Sequence, residues 1–156
     1  MPVSYHIRAA LPCDAAQIAQ LEKLCFSEPW SERQLLETME DPKGVLYVAV
    51  QDDDGQVQVL GYAGLHDIVG EGYVDNIAVF PQFRGQGIGE ALTRALVEYM
   101  RCASLEFLTL EVRASNLPAI SLYEKLGFRQ EGRRKNFYRH PTEDARIMTL
   151  RPGLEG

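Results

Sequence analysis

The sequence predicts an α/β fold in which a mixed sheet is layered by helices, and three observations support this. Apolar patterns alternate between strand and helix periods in the order β-α-α-β-β-β-α-β-α-β-β, without repeats or low-complexity segments. The two late helices each lie between strands, as crossover helices of an α/β sheet do. A chain of 156 residues, 46% hydrophobic and 24% charged, is long enough for one domain with its own core.

Two short helices are predicted near the start of the chain. Asp14 is expected to cap the first, with Gln17 at the capping-box position, and Ser31 the second, with Gln34 three residues later. Trp30, directly before the second cap, has two interpretations. Its ring either packs against that helix or lines a substrate groove between the two helices.

The strands of the first half are separated by turn-forming residues. We expect an edge strand at residues 5–10 and further strands at 45–50, 56–66 and 74–79. The turns between the later strands are predicted at residues 41–44, 52–55 and 69–72. The acidic residues 52–54 indicate a solvated hairpin tip, because no later Glu falls at the spacing of an EF-hand calcium loop.

The rest of the chain is organised around residues 74–100, which predict a strand, a glycine-rich turn and a helix. Pro81 ends the strand, and apolar residues then recur at helical spacing, namely Ile88, Ala91, Leu92, Ala95, Leu96 and Tyr99. A glycine-rich turn that opens a helix leaves several backbone N–H groups without partners at the positive end of the helix dipole. Such an arrangement binds phosphate groups.

The spacing of the glycines excludes two common phosphate loops. The turn lacks the third glycine or alanine of a dinucleotide-binding fingerprint and the Gly-Lys-Ser/Thr of a Walker A loop. The remaining pattern, Arg84-x-x-Gly87-x-Gly89 after Asn76-Ile77-Ala78-Val79, resembles the acetyl-CoA loop of the GCN5-related N-acetyltransferase (GNAT) superfamily. A turn that needs glycine for steric reasons alone is the alternative.

The second half carries a more specific resemblance. Residues 110–116 read LEVRASN, and residues 119–128 read AISLYEKLGF. Asn116 is a good helix N-cap, Pro118 is tolerated in a first turn, and Gly127 ends the helix. Together with FSEPWS at residues 26–31 and NFY at 136–138, these segments resemble the RimI-type branch of the GNAT superfamily, the bacterial ribosomal-protein alanine N-acetyltransferases.

This resemblance implies a GNAT acyl-CoA N-acyltransferase fold, with a mixed, mostly antiparallel, splayed sheet flanked by helices, over residues 1–150. We expect residues 151–156 to form a short, frayed tail. The resemblance also implies that Glu111 is the general base and Tyr123 the general acid. Tyr123 and Asn116 are implied to contact acetyl-CoA. On the central strand, the resemblance implies that main-chain groups face the acetyl arm at Ile77, Ala78 and Val79. After that strand, the residues implied to hold the pyrophosphate are Arg84, Gly85, Gln86, Gly87, Ile88 and Gly89.

General chemistry is compatible with these roles. An α-amine, with a pKa of roughly 7.7–8.0, needs only a weak base to become neutral, and a tyrosine hydroxyl can protonate the departing thiolate. The residue pattern alone also permits a solvent-facing Glu111, since it alternates with apolar neighbours, and a core aromatic at Tyr123. The basic run Arg133-Arg134-Lys135 is either a solvated face or a phosphate contact.

Composition and charge limit the kinds of partner, metal site and cellular location that we expect. A net charge of -6 argues against nonspecific nucleic-acid binding and suits a basic or neutral polypeptide. Three cysteines without C-x-x-C spacing and three scattered histidines predict reduced thiols and no metal site. Because no apolar run has membrane-spanning length and no signal segment is apparent, we expect a cytoplasmic protein.

The sequence therefore predicts an acetyl-CoA-dependent Nα-acetyltransferase that modifies a protein N-terminus, with the resemblance pointing to the N-terminal Ala of a small-subunit ribosomal protein. No cysteine lies in a motif suited to an acyl-enzyme, which favours direct attack in a ternary complex. A GNAT that acetylates lysine side chains or a small-molecule amine is one alternative. A non-catalytic acetyl-CoA-binding module is the other.

Overall fold

A computed structural model describes residues 3–153 of the chain. Its elements follow the predicted order, with short 3₁₀ turns at Pro12–Asp14 and Pro81–Phe83. The helices are α1 (Ala15–Cys25), α2 (Glu32–Glu40), α3 (Ile88–Cys102) and α4 (Leu117–Lys125). The strands are β1 (His6–Ala9), β2 (Gly44–Asp53), β3 (Gln56–Ile68), β4 (Glu71–Val79), β5 (Leu108–Arg113), β6 (Arg129–Tyr138) and β7 (Glu143–Leu150).

The seven strands found in residues 3–153 form one sheet in the order β1-β2-β3-β4-β5-β7-β6. Strands β1 and β2, β2 and β3, β5 and β7, and β6 and β7 pair antiparallel. Strands β4 and β5 pair in parallel, with Gly72 opposite Leu108 and Tyr73 opposite Thr109. The predicted mixed, mostly antiparallel sheet with flanking helices is thus confirmed.

Contacts divide the chain into two compact units. Unit 1 runs to His66 and resumes over Asp75–Leu96, and unit 2 comprises Asp67–Val74 and the chain from Val97 onward. The core of unit 1 is built from inward faces of α1, α2, β2 and β3, which contribute Ile18, Leu21, Leu35, Val48 and Tyr62. The buried apolar side chains of unit 2 include Leu108, Leu110, Ile120, Phe128 and Met148.

Two of the predicted helix caps form as expected. The Ser31 hydroxyl accepts a hydrogen bond from the Gln34 N–H (3.1 Å), and the Gln34 side chain accepts one from the Ser31 N–H (2.8 Å). The Asn116 side chain accepts a hydrogen bond from the Ala119 N–H (3.3 Å) at the start of α4. Gly127 follows that helix with a φ of 101°, in the left-handed region where glycine carries no steric penalty.

The predicted capping box at the start of α1 is wrong. The Asp14 carboxylate instead accepts hydrogen bonds from Arg8 Nη1 (2.7 Å) and the Leu11 N–H (2.7 Å). The Gln17 side chain bonds the backbone of β3, donating to Val57 O (3.0 Å). Both side chains find partners outside their own helix, and a local spacing rule does not register such partners.

Several predicted boundaries shift. The turn before β4 needs only Val69 and Gly70, whose φ angles are 52° and 79°, so β4 begins at Glu71, three residues before the predicted start at Val74. The hairpin tip at Asp54 and Gly55 is confirmed, with φ angles of 50° and 84°. The apolar alternation of residues 106–113 predicts a strand, and the observed strand β5 begins two residues later, at Leu108. The predicted frayed tail at residues 151–156 lies partly outside the described residues.

Candidate active site

The glycine-rich turn lies in unit 1, between the end of β4 and the start of α3. Gly85 and Gly87 have φ angles of 78° and 83°, and a Cβ added at either would meet no atom within 4 Å. The first backbone hydrogen bond of the helix runs from the Ala91 N–H to Gly87 O (3.0 Å). The amides of residues 85–89 therefore have no backbone acceptor within the described chain, as an anion-binding helix start requires.

The end of β4 lies against this turn. Arg84 Nε donates to Val79 O (3.0 Å), and its Nη2 contacts the Cys25 sulfur (3.3 Å). Gly61 of β3 makes room for the strand, since a Cβ there would lie 2.7 Å from Ala78 O. The structure thus brings together the predicted cofactor residues of unit 1. Arg84 is exposed but partly engaged by the protein, and its contact with a phosphate stays a prediction.

Glu111 of β5, in unit 2, faces away from the core. Its apolar neighbours Leu110 and Val112 are buried, whereas Glu111 is exposed. Its carboxylate oxygen Oε1 lies 3.1 Å from Arg134 Nε on β6. The carboxylate is therefore accessible to solvent and to a bound amine.

Tyr123 of α4 is a buried tyrosine in unit 2, with 8% of its surface exposed. Its ring centroid lies 5.6 Å from that of Phe128. Burial raises the pKa of Tyr123 to about 12, with a further contribution from Tyr138. Because its pKa is about 12, the hydroxyl is protonated at neutral pH. It has no hydrogen-bond partner in the described chain and is therefore available as a donor.

Asn116 has a structural task that sequence reasoning foresaw: its side-chain oxygen caps α4. Its proposed contact with the cofactor stays a prediction. In the basic run, Arg133 lies 3.6 Å from Asp144 and Arg134 pairs with Glu111. These side chains are exposed and neutralised by carboxylates, which supports the interpretation as a solvated face.

The structure confirms the packing interpretation of Trp30 and places the side chain beside a pocket. The side chain packs against the core of unit 1. It also lines a pocket of about 290 Å³ together with Gln34, Glu37, Thr38, Asp41 and His66. The Nδ1 atom of His66 lies 2.8 Å from the Asp75 carboxylate, which orients the imidazole. This pocket lies beside α2, and none of its lining residues belongs to α1, so it is not the groove between the two helices that the functional interpretation expected. Binding of a substrate there stays a prediction.

Sequence reasoning missed two groups. Tyr138 of β6 has Arg113 over its ring at 4.5 Å, and its pKa is raised to about 12 by burial and then by the charge of Glu111. Glu22 of α1 is fully buried. A signal for it was available, because Glu22 follows Ile18 by four residues and so falls on the apolar face of the helix.

Comparison with known proteins decides the family. Residues 15–128 match the acetyltransferase (GNAT) family. The chain belongs to the GNAT family. It is 34% identical to the "Putative [ribosomal protein bS18]-alanine N-acetyltransferase" of Bacillus subtilis over 135 residues, 86% of this chain and 87% of the relative. It is 35% identical to the "[Ribosomal protein bS18]-alanine N-acetyltransferase" of Escherichia coli over 155 residues, 96% and 90% of the two chains.

Solved GNAT structures have the same fold. The crystal structure of the ribosomal-protein-S18-alanine N-acetyltransferase from E. coli superposes with a TM-score of 0.85 at 31% identity, covering 98% of this chain and 97% of that one. Arabidopsis thaliana NAA60 in complex with acetyl-CoA gives a TM-score of 0.86 at 20% identity, covering 96% and 99%, a likeness of fold. The described residues of this GNAT protein contain no metal-ligand cluster and no helix that could span a membrane.

Proposed function

We propose that this protein transfers the acetyl group of acetyl-CoA to the α-amine of a protein N-terminus, and that the alanine N-terminus of ribosomal protein bS18 is its substrate. The run of amides without backbone acceptors at residues 85–89 is the observation that carries the assignment of the cofactor site. The choice of acceptor rests on the B. subtilis and E. coli relatives, which are named for that reaction. The proposal includes a single domain over residues 1–150 and a cytoplasmic location.

The residues present fit acetyl-CoA. The turn offers amides at the positive end of the 15-residue helix α3, with open space beside Gly85 and Gly87 for a pyrophosphate. The main chain of residues 77–79 lies directly before that turn and would hold the acetyl arm. Bound acetyl-CoA supplies an acyl thioester that an amine can attack.

Two side chains would manage the protons. Glu111 is exposed at β5 and can accept a proton from the substrate ammonium, directly or through water. Because an α-amine has a pKa of roughly 7.7–8.0, a carboxylate is a sufficient base near neutral pH. Tyr123 keeps its proton at pH 7 and can donate it to the departing sulfur. A backbone N–H near Val79 would donate to the developing oxyanion.

A thiol-release assay with acetyl-CoA tests the proposal. One peptide carries the free alanine N-terminus of bS18, and a second carries the same sequence with a blocked N-terminus and an added lysine. Release only with the free N-terminus is the expected result. Release with the blocked peptide would reassign the enzyme to lysine side chains, and release with neither, despite acetyl-CoA binding, would refute the Nα-acetyltransferase proposal.

The Glu111→Gln variant tests the base. Its turnover should fall while its dissociation constant for acetyl-CoA stays nearly unchanged, because Glu111 is assigned to the acceptor amine. Equal turnover in the variant and the unmodified protein would remove Glu111 from the mechanism.

A further inference from the structure

Glu22 is a buried carboxylate to which the proposed mechanism gives no role. It lies on α1 with 0% of its surface exposed, and no lysine, arginine or histidine in the described chain forms an ion pair with it. Burying a carboxylate without a cation is costly, and hydrogen bonds must compensate. Burial raises the pKa of Glu22, and its three hydrogen bonds offset part of that effect.

The three donors come from three different segments of unit 1. The Trp30 N–H donates to Oε1 (2.8 Å), and the Tyr62 hydroxyl (2.6 Å) and Asn76 Nδ2 (3.0 Å) donate to Oε2. Trp30 belongs to the connection between α1 and α2, Tyr62 to β3, and Asn76 to β4. A single side chain on α1 therefore joins that connection to the sheet.

The two segments that carry Tyr62 and Asn76 are held in place as strands, whereas the connection between α1 and α2 relies more on its hydrogen bond to Glu22. The Tyr62 residue is held in the β2–β3 ladder, and Asn76 lies in the long strand β4. Residues 26–31 form neither helix nor strand. Within this connection, the Trp30 amide is held by the Glu22 side chain. The Trp30 ring forms part of the pocket wall opposite His66, and the two ring centroids lie 6.4 Å apart.

We propose that Glu22 is a positioning residue for the acceptor polypeptide: its carboxylate holds Trp30 in place against the sheet, so that the pocket beside α2 has a defined wall when the peptide binds. Glu22 touches neither reactant. The inference rests on the proposed function, since it assigns this pocket to the acceptor side of the reaction.

The Glu22→Gln variant is the direct test. The amide keeps the volume of the side chain but has one acceptor oxygen in place of two, so it cannot accept from all three donors. The KM for the bS18 peptide should rise about tenfold, as the loss of one hydrogen bond to a charged acceptor would produce, while kcat and the acetyl-CoA dissociation constant stay within about twofold.

Trp30 is the only tryptophan in the sequence, and this gives a readout that is independent of activity. In the Glu22→Gln variant the Trp30 emission should move to longer wavelength, and acrylamide should quench it more strongly, because the ring becomes less firmly held. Asp14→Asn is the matched control. It alters another buried carboxylate at the start of the same helix and should lower stability without changing the peptide KM or the Trp30 emission.

The outcomes separate this inference from the proposed function. If the unmodified protein does not acetylate the peptide, the proposed function fails, and this inference with it. If it does, an unchanged peptide KM in a folded Glu22→Gln variant, or the same change in Asp14→Asn, would overturn the inference alone. Should Glu22→Gln not fold, Glu22→Asp keeps the charge but shortens the reach, and the same rise in KM is expected; an unchanged KM overturns the inference.

Discussion

Replacing Tyr123 with phenylalanine should separate catalysis from folding. The variant keeps the ring, and with it the contact to Phe128 at 5.6 Å, but removes the hydroxyl assigned as the proton donor. Because that hydroxyl has no partner in the described residues, its loss leaves no buried group unsatisfied, and the free energy of unfolding should change by less than about 1 kcal/mol. Loss of a general acid typically lowers the rate by about 10²–10⁴-fold, or about 2.7–5.4 kcal/mol of barrier.

The pH dependence of the unmodified enzyme follows from the same side chain. With the pKa of Tyr123 raised to about 12 by burial, only about one hydroxyl in 10⁵ is ionised at pH 7 and one in 10³ at pH 9. The value of kcat/KM should therefore rise as the substrate amine loses its proton, near its pKa of roughly 7.7–8.0, and show no decline up to pH 9.

The assay is thiol release at saturating acetyl-CoA with the bS18 peptide, alongside denaturant unfolding of each variant. Tyr73→Phe is the matched control, because it removes an exposed tyrosine hydroxyl that donates to Glu71 (2.6 Å), and its rate should equal that of the unmodified protein. A Tyr123→Phe variant with kcat within threefold of the unmodified protein would refute the role of general acid. A decline of kcat/KM below pH 9 would contradict the buried, protonated hydroxyl.

Three further predictions concern Gly87 in the cofactor turn, the Asn116 cap of α4 and the carboxylate of Asp14. Gly87→Ala, at a φ of 83° with open space around an added Cβ, should lose about 1–2 kcal/mol from backbone strain and weaken acetyl-CoA binding in calorimetry; unchanged affinity would argue against this turn as the anion site. Asn116→Ala should lose about 1 kcal/mol in denaturant unfolding, since it removes the cap of α4. Burial opposes ionisation of Asp14, but hydrogen bonds from Arg8 and the Leu11 N–H hold its pKa below the usual value. The stability it contributes is therefore present above the unfolded pKa of about 3.9 and lost as pH falls through the lower folded value, a dependence that Asp14→Asn should abolish.

Local signals predicted local structure well. The capping box of Ser31 and Gln34, the Asn116 cap and the Asp54–Gly55 hairpin tip each depend on residues within four positions of one another. Their energetics is contained in the segment itself, so spacing rules are sufficient. The glycine-rich turn belongs to the same class, since positive φ and missing helix partners are properties of the turn.

Rules of spacing failed where side chains found partners elsewhere in the chain. Asp14 bonds Arg8 and Gln17 bonds the backbone of β3. If the start of α1 were fully solvated, the local capping box would be favoured. Here the helix start is packed against other segments, and hydrogen bonds to those segments form instead, because an unsatisfied buried polar group is costly.

The sequence by itself determined the order of elements, the glycine-rich helix start and the family, because each is encoded in short patterns of periodicity or in contiguous motifs. Only the tertiary structure decided that Glu22 joins Trp30, Tyr62 and Asn76, and that Glu111 faces Arg134. The physical reason is that sheet pairing and burial bring together residues up to 54 positions apart. A carboxylate that is buried among them needs hydrogen bonds, because a buried polar group without partners destabilises the fold.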